Sequence, residues 1–290
     1  MKDPRKGPKP GKGTPGQKPP GVEGKLQPKA DHGEESYRGS GKLEGRKAII
    51  TGGDSGIGRA VAIAMAREGA DVAIGYLSEK EERDAAETVE WIDKAGRTSF
   101  SKRFNVQKKA QCEKFVSAAV EALGGVDILV NNAAYQMSQE SILDITEEQL
   151  EGTFRTNFFG YFFMIQACLP HMKEGGVIIN SGSVTGLRGN PSLVDYAATK
   201  GAIHNLTRSL ATQLAPKGIR VNCVAPGPVW TPLIPATMEK DHVRKFGKST
   251  LWKRPAQPAE MAPSYVFLAS NDSIFYTGDI LAPTGEETSR

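Results

Sequence analysis

Cysteine is scarce, with three in 290 residues. Cys112, Cys168 and Cys223 are odd in number, far apart and in no CxxC or Cys/His spacing, which excludes a disulfide framework and a zinc site and leaves reduced thiols in the core. Long apolar runs are missing too. The best stretch, around "FFGYFFMIQACLP", is too short for a bilayer and ends in proline. The opening "MKDPRKGPKPGKGTPGQKPP" lacks the apolar segment of a secretory signal. A soluble, cytoplasmic protein without membrane contact is expected.

Net charge is equally absent from most of the chain. The total is +4, and residues 1–40, with nine Lys and Arg against five Asp and Glu, carry all of it. These 40 residues hold seven prolines and eight glycines and almost no large apolar side chain, so they read as a disordered tail whose removal costs little stability. The lysines are not interleaved with aromatics, which argues against a nucleic-acid partner. Within the tail, "DHGEESYRGSGKLEG", with Tyr37, is the part expected to dock on the body.

From residue 41 to 290 one domain is expected. Apolar runs alternate with helical patterns: "RKAIITG", "ADVAIGY", "TSFSKRF", "VDILVNN", "GVIINSGS", "IRVNCVA" and "GDILAP" read as strands, separated by six helical stretches. One of these, residues 146–172, reads as a single long helix. Strands rich in Ile and Val, alternating with helices, predict an α/β fold with a parallel sheet covered on both faces.

After the first strand stands "TGGDSGIG", residues 51–58. Glycine between a buried strand and a helix lets backbone approach a phosphate at the helix N-terminus. A P-loop is excluded, because Arg59 and Ala60 follow where Lys and Ser or Thr are required. The spacing of Gly52, Gly56 and Gly58 is GxxxGxG, which a plain structural turn also satisfies. Further along, "YAATK" sets Tyr196 and Lys200 four apart on one helix face, with Ser183 ending the strand before. A phenol titrates near about 10 in water, so it serves as an acid or base at neutral pH once a nearby cation stabilises its phenolate. Singly these are a core tyrosine and a surface lysine; together they suggest general acid/base chemistry.

With "NNAA" at 131–134, Asn157 in "NFFG" and "RVNCVAPGPVWT" at 220–231 in the same order, the chain resembles the short-chain dehydrogenase/reductase family, and more narrowly its glucose/ribitol dehydrogenase-like and general-stress oxidoreductases. The resemblance implies a single Rossmann-type doubly wound domain with a seven-stranded parallel sheet. It implies a proton donor in Tyr196, a hydrogen bond from Ser183 to the substrate oxygen, and Lys200 lowering the Tyr196 pKa and holding the ribose. Asn157 would position a relay water. No metal is implied. Gly52, Asp54, Ser55, Gly56, Ile57 and Gly58 would line the diphosphate, with a side chain at Gly58 intruding on phosphate space. Tyr76, Leu77, Asn105, Val106, Asn132, Ala133 and Ala134 would meet the adenosine and central part, and Pro226, Gly227, Val229 and Thr231 the nicotinamide end.

Substrate would meet Tyr135, Gln136, Thr185 and Trp230 besides Ser183, under a lid at about 231–255. The family's acidic residue before Val106 is Asn105 here. Glu286 replaces a usual glycine near the C-terminus. Tyr76, standing where an acid would select NAD, favours NADP(H) slightly and leaves NAD(H) admissible. The expected activity is hydride transfer between a nicotinamide and a small carbonyl or alcohol, in a homotetramer. An idle dinucleotide-binding module is the alternative. Sugar-nucleotide epimerisation fits less well, because the substrate region is short.

Overall fold

The computed structural model describes residues 3–10 and 14–285, so Glu286 lies outside the described residues. Seven strands form one parallel sheet in the order β3-β2-β1-β4-β5-β6-β7. They are β1 (Lys47–Thr51), β2 (Asp71–Tyr76), β3 (Ser99–Arg103), β4 (Ile128–Asn131), β5 (Val177–Ser181), β6 (Arg220–Val224) and β7 (Ile280–Leu281). Each falls within a strand read from the sequence. The helices are α1 (Gly56–Arg67), α2 (Glu82–Lys94), α3 (Lys109–Leu123), α4 (Glu147–Phe154), α5 (Gly160–Cys168), α6 (Thr185–Arg188), α7 (Val194–Leu214), α8 (Leu233–Thr237), α9 (Lys240–Lys245) and α10 (Pro258–Ala269).

Period-two side-chain alternation explains why the strands are apolar throughout. Ala48, Ile50, Val72, Ile74, Ile128 and Val130 pack towards α1 and α10, in a core with Val61, Met65, Met261 and Tyr265. Ile49, Ala73, Leu129 and Ile178 face the other way, against Phe115 and Val116 of α3 and Met164 and Ile165 of α5. The edge strand β3 is instead exposed and charged at Lys102 and Arg103, which discourages pairing with another chain. Strand order reverses between β1 and β4. The connections leave their C-terminal ends in opposite directions, and a crevice lies between them. Among the described residues no helix is long and apolar enough to cross a membrane.

The helix expected over 146–172 is interrupted. Arg155–Phe159 form a π-helical turn between α4 and α5, and the buried Asn157 lies in it. Such a turn inserts a residue into the helical repeat and redirects side chains, which periodicity in a sequence does not register.

A larger difference concerns the N-terminal segment. Leu26 is buried with Trp230, Ile234 and Val243, and the Trp230 indole donates to the Pro28 carbonyl at 2.7 Å. Gln17 N donates to Pro235 O at 2.8 Å, and Asp31 joins Gln257 and Ala259 at the start of α10. The Tyr37 hydroxyl donates to Glu68 at 2.7 Å, and Arg67 donates to the carbonyls of Gly33 and Tyr37. The disorder expected from composition therefore does not describe residues 14–40. Composition measures only what a segment can bury by itself, whereas here the apolar partners and hydrogen-bonding groups belong to the body. Leu26→Ala should lower the unfolding free energy by about 2–5 kcal/mol. Urea unfolding checks this, and a change under about 0.5 kcal/mol would restore the disordered reading.

Candidate active site

A cavity of about 560 Å³ occupies the crevice. Its floor is built from residues just after the strands: Gly52 after β1, Tyr76 and Leu77 at the end of β2, Asn132 to Gln136 after β4, and Ser181 to Thr185 after β5. The far wall is Pro226, Gly227, Val229 and Thr231 after β6. Asp54, Ser55, Gly56, Ile57, Asn105, Val106, Tyr196 and Lys200 also line it, so the glycine loop and the Tyr/Lys/Ser group share one chamber.

The loop's geometry depends on close approach. Gly52 and Gly56 have φ of +64° and +50°, in the left-handed region that glycine tolerates. Gly58 does not line the cavity. A Cβ there would sit 1.9 Å from the Gly52 carbonyl oxygen and 2.7 Å from the Asn132 amide nitrogen. Its missing side chain thus admits α1 against the β1 turn; the expected intrusion on phosphate space is not the reason for glycine. Asn132 completes the brace by donating to the carbonyls of Thr51 and Gly52, both at 3.1 Å, while the Thr51 hydroxyl accepts from the amides of Asn132 and Ala133. Helix α1 thereby begins in the cavity wall. Its leading N–H groups have no partner within the helix, and with the helix dipole they suit an anionic diphosphate.

The reactive side chains hang from β5 and α7. Asp195 in the first turn of α7 accepts from Tyr196 N at 2.9 Å and from the Thr153 hydroxyl at 2.7 Å, tying α7 to α4. One turn on, the Lys200 ammonium donates to the Ser181 carbonyl at 2.6 Å and lies 5.4 Å from the ring centres of Tyr161 and Tyr196. Burial pushes the Lys200 pKa down to about 8. Burial likewise pushes the Tyr196 phenol up to about 12, and hydrogen bonding with Ser183 pulls against that rise. Ser183 is fixed by the Thr185 amide and hydroxyl, at 3.1 and 3.0 Å.

Two expected site residues lie behind the wall. Trp230 is fully buried in the cluster with Leu26 and does not line the cavity, which corrects its assignment to the substrate. Asn157 is also fully buried; its amide accepts from Tyr135 N and donates to Tyr135 O, both at 2.8 Å, and donates to Thr199. The Asn105 side-chain oxygen accepts from Gln107 N at 2.9 Å. Conversely Pro19, Pro20 and Gly21, Glu81, and His242 and Lys245 of the lid line the cavity without having been singled out. Pro19 and Pro20 looked like tail residues, and no local pattern marks a segment that closes a distant cavity.

Gly58→Ala tests the packing argument. The overlap with backbone leaves no cheap relaxation, so about 1–3 kcal/mol of stability should be lost together with most affinity for NADPH and NADH. Unchanged melting and unchanged titrations would refute the close approach.

Comparison with known proteins agrees with this geometry. A family model described as enoyl-(acyl carrier protein) reductase matches residues 52–285. The NADPH-dependent aldehyde reductase 1, chloroplastic, of Arabidopsis thaliana is 49% identical over 272 residues, 92% of this chain and 94% of that protein. The glucose and ribitol dehydrogenase of Daucus carota is 47% identical over 270 residues, 92% of this chain and 93% of that one. Among solved structures, a short chain dehydrogenase from Burkholderia cenocepacia J2315 in complex with NADP superposes with a TM-score of 0.80 at 31% identity, over 86% of this chain and 100% of that chain. The chain belongs to the short-chain dehydrogenase/reductase family and is an oxidoreductase of that family.

Proposed function

We propose that this protein is an NADP(H)-dependent carbonyl reductase/alcohol dehydrogenase acting on a small aldehyde, ketone, sugar or polyol. The observation that carries the reading is the shared chamber: Tyr196, Ser183 and Lys200 line the same cavity as the glycine loop. When bound, the nicotinamide supplies or accepts the hydride. Tyr196 gives its phenolic proton to the carbonyl oxygen as the carbonyl carbon gains hydride, and solvent restores that proton. Ser183 donates to the same oxygen and orients it. Donation of the Tyr196 proton leaves a phenolate, and the Lys200 ammonium, 5.4 Å from the Tyr196 ring centre, is placed to stabilise it. Lys200 binds the ribose hydroxyls, and Asn157 positions the Tyr135 backbone at the edge of the chamber.

The preference for NADP(H) is supported by Tyr76, which closes β2 without a carboxylate to repel a 2′-phosphate. Arg103 is its partner in register across β2 and β3 and pairs with Glu79 at 2.6 Å. The NADP complex of the Burkholderia relative points the same way. The proposed setting is the cytoplasm and the proposed assembly a homotetramer, for which exposed Phe159, just before α5, and Phe162, within it, offer apolar surface.

A nicotinamide absorbance screen against aldehydes, ketones, sugars and polyols with both cofactors tests the activity. Tyr196→Phe should then lower kcat by about 10²- to 10⁴-fold while dinucleotide titrations stay unchanged. Full activity in this variant would assign the proton elsewhere. Tight cofactor binding with no turnover of any carbonyl or alcohol would favour the idle binding module. Tyr76→Asp should shift the NAD/NADP ratio of kcat/KM by about tenfold or more towards NAD, since a carboxylate repels the 2′-phosphate and accepts from a 2′-hydroxyl. An unchanged ratio would reject the role given to the end of β2.

A further inference from the structure

The N-terminal segment reaches the glycine loop itself. Glu23 is 6% exposed, and its carboxylate accepts from Gly56 N, the first amide of α1, at 2.9 Å. The same carboxylate lies 3.2 Å from His32, which on its other side meets Glu34 at 2.9 Å. Glu23 N and Gly24 N donate to the two oxygens of Asp84 at 2.7 and 3.3 Å. Arg59 of α1 donates to the carbonyls of Asp84 and Asp54, at 2.7 and 2.9 Å. The segment, α1, α2 and the glycine loop are thus joined by buried polar contacts. On the cavity side, Pro19, Pro20 and Gly21 stand in the wall with Ser55, Gly56, Thr231 and Pro232. The approach to the lid is tight, because a Cβ on Gly21 would lie 2.4 Å from the Pro232 carbonyl oxygen.

We infer that residues 17–32 are a built-in wall of the dinucleotide site and that Glu23 is a positioning residue, fixing the first amide of α1 so that the amides after it are set for the diphosphate. The inference rests on the nicotinamide reading above. The matching family model begins only at residue 52, after this segment. A carboxylate at this helix end would by itself oppose a diphosphate. His32, pushed up to about 9 by its two carboxylate partners against the cost of burial, supplies the opposing charge at contact. The fixed loop and the lid are moreover held by one continuous segment, since Leu26 and Pro28 engage Trp230 while Glu23 engages Gly56.

Full-length Glu23→Ala and Glu23→Gln, titrated with NADPH and NADH by fluorescence, test this. Loss of the acceptor should weaken NADPH binding about 10-fold, the scale of one charged hydrogen bond, and Gln, which keeps an acceptor for Gly56 N–H, should recover most of it. The rise in Tm caused by NADPH should shrink in the Ala variant. A merely stabilising residue would lower Tm equally with and without NADPH and leave that rise intact. Unchanged NADPH affinity in Glu23→Ala overturns the inference. Should that variant not fold, hydrogen exchange on the wild type decides: NADPH slows exchange in residues 17–32 if they wall the site, and an unchanged rate there overturns the proposal. A wild type that binds neither dinucleotide would instead bring down the nicotinamide reading itself.

Discussion

The contact of α1 with the end of β1 sets the remaining distances in the site. With no side chain at Gly58, the helix seats against the Gly52 carbonyl, and Asn132 locks the turn from the β4 side. Helix α1 then packs on α10 over one sheet face, which carries the loop after β6 and the start of the lid into range of the glycine loop. A shift of one ångström in this seat would move the helix end relative to Tyr196, which hangs from an unrelated helix. Small steric demands in the backbone therefore govern a chamber whose polar groups sit far apart in sequence.

Burial does the second part of the work. Lys200 and Tyr196 are both withdrawn from water, and their pKa values move in opposite directions, the lysine down to about 8 and the tyrosine up to about 12. Both shifts favour uncharged forms, because burial removes the water that stabilises charge. The Ser181 carbonyl at the end of β5 partners that ammonium directly. Charge arriving in the chamber would meet groups already oriented, with little solvent left to reorganise.

The seven strands were legible because each is an apolar run bounded by turns, and their parallel arrangement follows from the alternation with helices. The glycine loop and the Tyr196/Lys200 pair were legible as motifs whose members lie within a few residues of one another, and Ser183 as the end of the strand before that pair. Trp230 was misassigned for a different reason. Its neighbours Val229 and Thr231 do line the cavity, and nothing local tells that the indole between them turns away to meet Leu26 and Pro28. The π turn around Asn157 was hidden because a helical pattern continues through it. The docking of "DHGEESYRGSGKLEG" through Tyr37 was legible, but that of residues 14–30 was hidden because it depends largely on carbonyls and amides, which every residue has, and on the one buried Leu26.

The placement of the N-terminal segment also orders events in time. Its residues leave the ribosome ahead of those that hold them: the partners of Pro28 and Asp31 are Trp230 and Gln257, more than two hundred positions later. Contacts of such separation bear the largest loop-closure cost and form after the local ones. The nascent chain must carry residues 26–31 without those partners through nearly all of its synthesis, and the polar, proline-rich composition around them keeps the chain soluble meanwhile. The composition that reads as disorder thus describes the segment faithfully for the interval before its binding surface exists.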